Sequence, residues 1–277
     1  MSGVVLLASY PKSGNTWTRA FLASLDSGGS IPDINALGPP ASLSSRAVCD
    51  LVLDEDTGDL SNAEIARVRP WISRRVAGEF AAPVKAHDAW LVPPGATEPP
   101  FPADIIDRAI LIVRDPRDVA LSCVHHFGKP LARIVDDMAD PDFALGTSGK
   151  HSNRQIYQFV STWSGHVRSW LDQSDFPVRL IRYEDMITDP VASFTAAARF
   201  LGRKEDDATI ARAVESSSFD VLVRQETRDG FAERLGGSNA PFFRSGRAGG
   251  WREAMPGTVA ARIADDHGAT MRRLGYL

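Results

Sequence analysis

Five consecutive apolar residues, Val4-Val5-Leu6-Leu7-Ala8, run into the turn-forming cluster Ser9-Tyr10-Pro11-Lys12-Ser13-Gly14. A short run rich in β-branched residues and closed by Pro and Gly predicts a buried strand entering a loop. Beyond Gly14, Trp17, Ala20, Phe21 and Leu25 recur near helical spacing, with Asn15 or Thr16 suited to the N-cap. The same pattern returns at Ala109-Ile110-Leu111-Ile112-Val113. There the turn is Arg114-Asp115-Pro116-Arg117-Asp118, and Asp115 as N-cap with Pro116 as first helical residue starts a helix through Val119, Ser122 and Cys123. Further strands are predicted at 83–87 and 176–182, and helices at 61–76, 153–171 and 190–201. Three stretches read as loops: 31–45, the proline-rich 91–102 and the glycine-rich 224–250.

Strands separated by helical patterns predict an α/β fold, a single three-layer domain over 1–277 with a central parallel sheet flanked by helices. In such sheets ligands gather beyond the carboxyl ends of the strands, which places Lys12, His87, Arg114 and Tyr183 along one edge. The 277 residues, 43% hydrophobic and 24% charged, suit one large core. No apolar run approaches the roughly 18 residues of a membrane span, and no basic segment followed by an apolar stretch opens the chain. Residue 1 is therefore expected to begin the folded domain, and the cytoplasm is the expected compartment. Two cysteines, Cys49 and Cys123, are too few for a disulfide framework and stand outside any zinc spacing, so no metal site is expected.

The formal net charge of −4 argues against nucleic acid as a partner, though not against a small anionic ligand. The loop Tyr10-Pro-Lys-Ser-Gly-Asn-Thr-Trp17 has the makings of an anion site, because a helix N-terminus offers unpaired N–H groups and a favourable dipole. A nucleoside triphosphatase loop would put Lys directly after its last Gly and a hydroxyl on Mg²⁺. Here Lys12 precedes Gly14, and Arg114 stands at the end of the next such strand where a metal-holding Asp would be needed. This arrangement suits a ligand neutralised by Lys and Arg without metal.

Residues 10–17 resemble the 5′-phosphosulfate loop of the cytosolic-type sulfotransferases, which use 3′-phosphoadenosine 5′-phosphosulfate (PAPS) and release adenosine 3′,5′-bisphosphate (PAP). Arg114-Asp-Pro-Arg-Asp-Val-Ala-Leu-Ser122 is similar to that family's 3′-phosphate segment, and Lys85-Ala-His87 to its Lys-Thr-His catalytic segment. Tyr183-Glu-Asp-Met186 resembles its adenine-side motif, and Arg244-Ser-Gly-Arg-Ala-Gly-Gly-Trp251 its C-terminal Arg-Lys-Gly loop. The resemblance spans residues 4–252 with the motifs in the family's order, and implies a P-loop-like nucleotide-binding fold. It further implies that Lys12 binds the 5′-phosphate and bridging oxygen, that Ser13, Gly14, Asn15 and Thr16 give loop contacts, and that Trp17 packs on adenine. Arg114 and Ser122 would hold the 3′-phosphate, with Arg244, Ser245 and Gly246 closing over it. Tyr183 and the Ser217-Ser218-Phe219 segment, through Ser217 and Phe219, would line the adenine pocket. His87 would be the general base and Lys85 would contact the sulfonate.

The resemblance thus implies sulfonate transfer to a hydroxyl of a small-molecule acceptor. A cation at the bridging oxygen stabilises the leaving charge, and a histidine takes the acceptor's proton. Departures from the family pattern are Asn15 for the more frequent Thr and Ser245 for the usual Lys. The family's dimer motif is not kept, since Thr258-Val259 lacks both flanking charges; a homodimer is left open. Arg enrichment, 26 Arg against five Lys, associates the chain with bacterial members. Phe21, Trp90 and Phe127 are candidate acceptor-pocket residues, His125 and His126 stay unassigned, and acceptor choice belongs to loops 31–45, 91–102, 131–151 and 224–243. The alternatives are a Mg²⁺-dependent kinase on a related fold, against which Arg114 with Ser122 speaks, and a non-catalytic nucleotide-binding protein, against which Lys12 with His87 speaks.

Overall fold

A computed structural model of the protein describes residues 3–37, 43–80, 82–147, 154–234 and 240–277. Strand β1 (Val4–Ser9) leads into α1 (Asn15–Asp26), then α2 (Arg46–Leu53) and α3 (Asn62–Val76), whose start is fixed by a reciprocal capping box between Ser61 and Glu64. Next come β2 (Val84–Ala86), β3 (Ile106–Val113), α4 (Pro116–Phe127) and α5 (Leu131–Ala139). The short β4 (Ala144–Leu145) and β5 (Gln158–Phe159) precede α6 (Trp163–Leu171) and β6 (Val178–Arg182). The remainder is helical: α7 (Tyr183–Thr188), α8 (Pro190–Phe200), α9 (Asp207–Ser216), α10 (Phe219–Asp229), α11 (Trp251–Ala254) and α12 (Gly257–Arg273). Among the described residues no helix is long and apolar enough to cross a membrane.

The main sheet runs β2-β1-β3-β6, so the chain crosses over between neighbours. Strands β1 and β2 pair in parallel, Leu6 opposite Val84, Leu7 opposite Lys85 and Ala8 opposite Ala86. Ala109 to Val113 of β3 are almost fully buried, as befits a strand covered on both faces. Each large side chain there contributes about 1.5–3 kcal/mol by leaving water.

Two compact units can be distinguished. The first comprises Met1–Tyr10, Pro39–Leu111 and Asp137–Leu180; the second comprises Pro11–Gly38, Ile112–Asp136 and Ile181–Leu277. Cys49, Ile65, Ala66, Ile72, Ile156, Tyr157 and Phe159 form a cluster in the first. In the second, Ala20, Ile34, Leu37, Leu222 and Phe231 form another.

The helix predicted at 153–171 is confined to its second half. Thr162 caps α6 by accepting the Gly165 N–H at 2.8 Å, while upstream Phe159 pairs with Ala144 and commits its N–H to Asp88 at 3.0 Å. Residue 153 lies outside the described residues. The stretch 224–250 is helical as far as Asp229, and residues 31–45 contain the helical turn Ile34–Ala36. Within those two loops, 235–239 and 38–42 lie outside the described residues, as do 148–153 around the end of the third acceptor loop.

Candidate active site

In the second unit, the chain leaves Pro11 and turns through Lys12 and Gly14 into α1. Lys12 has φ 69° and Gly14 φ 111°, two left-handed residues in one short turn. At Gly14 a side chain is barred twice over, by φ and because a Cβ would stand 2.8 Å from the Tyr183 ring. Gly14 supplies no side-chain cap and the first turn of α1 carries no acid. The N–H groups of Thr16 and Trp17 thus have no partner in the helix itself, and nothing acidic in that turn offsets the dipole. Ser13 Oγ is fully buried without a hydrogen-bond partner beside them. This cradle fits an anionic oxygen.

Arg114, at the end of β3, connects three segments far apart in sequence. Its Nη1 donates to the Lys12 carbonyl at 3.3 Å and its Nη2 to the Arg247 carbonyl at 2.9 Å. The guanidinium carbon lies 4.2 Å over the Tyr183 ring, and Nε is buried with no hydrogen-bond partner. Burial raises the Tyr183 pKa, with Arg114 opposing, so the ring remains a neutral phenol. Trp17 packs edge-on against Tyr183 and Phe194, at 6.1 and 5.3 Å between ring centres. Gly246, at φ 58°, rests so close to Phe219 that a Cβ would meet the ring at 2.6 Å. Gly246 thus meets Phe219, its neighbour Arg247 meets Arg114, and Arg114, Gly14 and Trp17 each meet Tyr183. The Lys12 ammonium lies 3.6 Å from the centre of the Phe242 ring.

Other expected donor residues are engaged differently. Asn15 Oδ1 accepts from Arg19 Nε at 3.1 Å and Thr16 Oγ1 from Arg19 Nη2 at 3.3 Å, so both side chains help seat a buried arginine. Ser217 is fully buried and its Oγ donates to the Ala213 and Val214 carbonyls at the end of α9. Ser122 is half-buried on α4, Ser245 half-buried and Arg244 exposed. Phe21 is fully buried and stacked on Phe194 at 4.4 Å, so it belongs to the core and forms no pocket wall. His126 packs on Phe127 and Phe242, at 4.8 and 5.6 Å, and His125 Nε2 lies 2.6 Å from the Pro241 carbonyl.

In the first unit, Lys85 on β2 and His87 just beyond it are both half-buried and two residues apart on extended chain. His87 Nδ1 lies 2.8 Å from the Ser9 carbonyl and 3.3 Å from Ser9 Oγ. A carbonyl only accepts, so Nδ1 carries the proton that this contact shares. Ser9, the last residue of β1, thereby sets the tautomer of a histidine 78 positions away.

The chain after His87 is held firmly. Asp88 is fully buried, pairs with Arg69 through both oxygens and accepts the Phe159 N–H at 3.0 Å. Trp170 Nε1 donates to the Asp88 carbonyl at 3.2 Å, the Ala89 N–H to the Phe159 carbonyl at 2.7 Å, and the Trp90 N–H to Ser169 Oγ at 2.9 Å. Trp90 Nε1 donates to the Phe101 carbonyl at 2.9 Å. Sequence reasoning passed over Ser9, Arg69 and Asp88. An aspartate immediately after the candidate base was the available signal for one of them; Arg69 is one arginine among many.

A glycine turn, a helix N-terminus and the cations Lys12 and Arg114 make an anion cradle on an α/β fold. The sequence profile of the sulfotransferase domain matches residues 100–275, and the chain belongs to that family. It is a PAPS-dependent sulfotransferase. The chain is 25% identical over 270 residues to sulfotransferase 1E1 of Cavia porcellus, covering 95% of this chain and 80% of that protein. Its fold, a parallel sheet flanked by helices, is also that of mouse sulfotransferase SULT7A1 complexed with PAP, with TM-score 0.61, 20% identity, and 98% and 86% of the two chains covered. Retinol dehydratase in complex with androsterone and PAP matches with TM-score 0.60, 18% identity, and 96% and 80% coverage.

Proposed function

We propose that the protein, acting as one sulfotransferase domain over 1–277, moves a sulfonate from PAPS to a hydroxyl of a small molecule. His87 is the general base, Lys12 stabilises the leaving group and Lys85 contacts the sulfonate. The observation that carries the donor side is Arg114, whose guanidinium bridges the carbonyls of Lys12 and Arg247 and so unites the loop at 10–17 with the loop at 244–251. Androsterone in the retinol dehydratase structure supports a small-molecule acceptor.

Each group has a task that its chemistry suits. The acceptor oxygen forms a bond to sulfur as the bond from sulfur to the bridging oxygen breaks, and the acceptor's proton passes to His87 Nε2. The first-turn N–H groups of α1 and the Lys12 ammonium offset charge on the 5′ side, including what builds on the bridging oxygen. Arg114 and Arg244 do the same for the 3′-phosphate. With cations in these places, the transfer proceeds without a metal.

Calorimetric titration with PAP beside adenosine 5′-phosphate, in chelator, tests the donor reading. Much tighter binding of PAP is expected. Equal affinities, or binding that appears only with Mg²⁺, would replace this reading with a kinase.

A further inference from the structure

Two buried carboxylates, Glu226 of α10 and Asp118 of α4, have no part in the transfer described above. Both spend their oxygens on the loop that carries Arg244. Glu226 Oε1 accepts the Phe242 N–H at 2.5 Å and Oε2 accepts the Phe243 N–H at 3.0 Å. At the far end Asp118 Oδ2 accepts the Gly249 N–H at 2.6 Å and Oδ1 the Trp251 N–H at 2.9 Å. Glu226 is 7% exposed and Asp118 only 1%. The Arg117 guanidinium, itself paired with Asp115, covers the Trp251 ring at 3.7 Å. Between the two pins, Gly246 lies on Phe219 and the Arg247 carbonyl receives Arg114.

Negative charge beside an anion site opposes binding through space, so a carboxylate there needs an offsetting task. Four hydrogen bonds from backbone N–H groups are such a task, and charge-assisted bonds of this kind are stronger than neutral ones. Fixing a loop residue costs backbone entropy, and a loop ordered by folding spares the ligand that cost. We infer that Glu226 and Asp118 are positioning residues that hold 244–247 in its phosphate-gripping form before the nucleotide arrives, and thereby set the preference for a 3′-phosphorylated nucleotide. This rests on the donor reading above.

The isosteric amides provide the test. Glu226→Gln and Asp118→Asn each keep one accepting oxygen and turn an NH₂ toward a backbone N–H, so neither can hold both ends. Calorimetry with PAP and with adenosine 5′-phosphate on the wild type and both variants is expected to show the PAP preference falling at least tenfold in each variant, while adenosine 5′-phosphate affinity stays within about twofold. A preference retained in both variants, or both nucleotides weakening in step, would overturn the inference. A wild type without any PAP preference would overturn the donor reading itself. Hydrogen exchange on the ligand-free wild type needs no variant to fold: the Phe243, Gly249 and Trp251 amides are expected to be protected before nucleotide is added. Protection that appears only with PAP would contradict a preassembled loop.

Discussion

His87 has its Nδ1 held by the Ser9 carbonyl, and the proposed role of its ring is to take the acceptor's proton at Nε2. Its replacement in His87→Ala is expected to lower kcat by about 10²- to 10⁴-fold, the usual worth of a general base, with the PAP dissociation constant within about twofold. A variant that keeps full turnover would exclude His87 as the base. Arg114→Ala removes a guanidinium that also ties the Lys12 and Arg247 carbonyls, and is expected to weaken PAP by about 2–5 kcal/mol. Titration of the variant with PAP and adenosine 5′-phosphate reads this, since adenosine 5′-phosphate should lose far less. The types and order of these residues were apparent in the sequence because Lys12, His87 and Arg114 each stand at or just beyond the end of a predicted strand. Their helpers were not: Ser9, Glu226 and Asp118 act through backbone groups, and a hydrogen bond to a distant N–H or carbonyl leaves no mark on local pattern.

Helix α1 is entered through Gly14, a position that only glycine fits. Gly14→Ala forces a Cβ against the Tyr183 ring at φ 111°, and is expected to cost about 1–3 kcal/mol of strain together with most PAP affinity. Thermal unfolding and titration of one preparation measure both; an alanine variant with unchanged affinity would show that the turn is not the phosphate cradle. The four strands of the main sheet and the helices α1, α3, α4 and α8 were readable because apolar runs and spacing agreed with turn and start signals, Ser61 with Glu64 and Asp115 with Pro116 among them. The stretch before α6 misled. Its apolar residues Ile156, Tyr157, Phe159 and Val160 are all buried, yet their order is served by pairing with β4 and by Asp88, contacts that no window of neighbouring residues contains.

Across the whole molecule, two buried histidines couple stability to pH. Burial pulls the pKa of His166 down from 6.5 to about 3, with the His87 backbone opposing, and that of His267 to about 4, with Asp266 opposing. Both are neutral when folded, whereas the unfolded chain takes up their protons below about 6.5. The unfolded state therefore binds more protons in that window, and stability is lost as pH falls from about 6.5 toward 4. Each histidine contributes a slope of about 1.4 kcal/mol per pH unit. Denaturant unfolding of His267→Gln between pH 6 and 5 is expected to show that slope reduced by one histidine's share; an unchanged slope would contradict it.

As proposed, this chain carries a sulfonate from PAPS to a hydroxyl with its own cations and His87. The most direct measurement is single-turnover transfer of labelled sulfonate from PAPS to a panel of small alcohols and phenols, in chelator, for the wild type and His87→Ala. Labelled sulfate ester and stoichiometric PAP from the wild type, with transfer lost in a variant that still binds PAP, is the expected result. No ester from any acceptor while PAP binds tightly, or equal transfer by the variant, would overturn the proposed transfer.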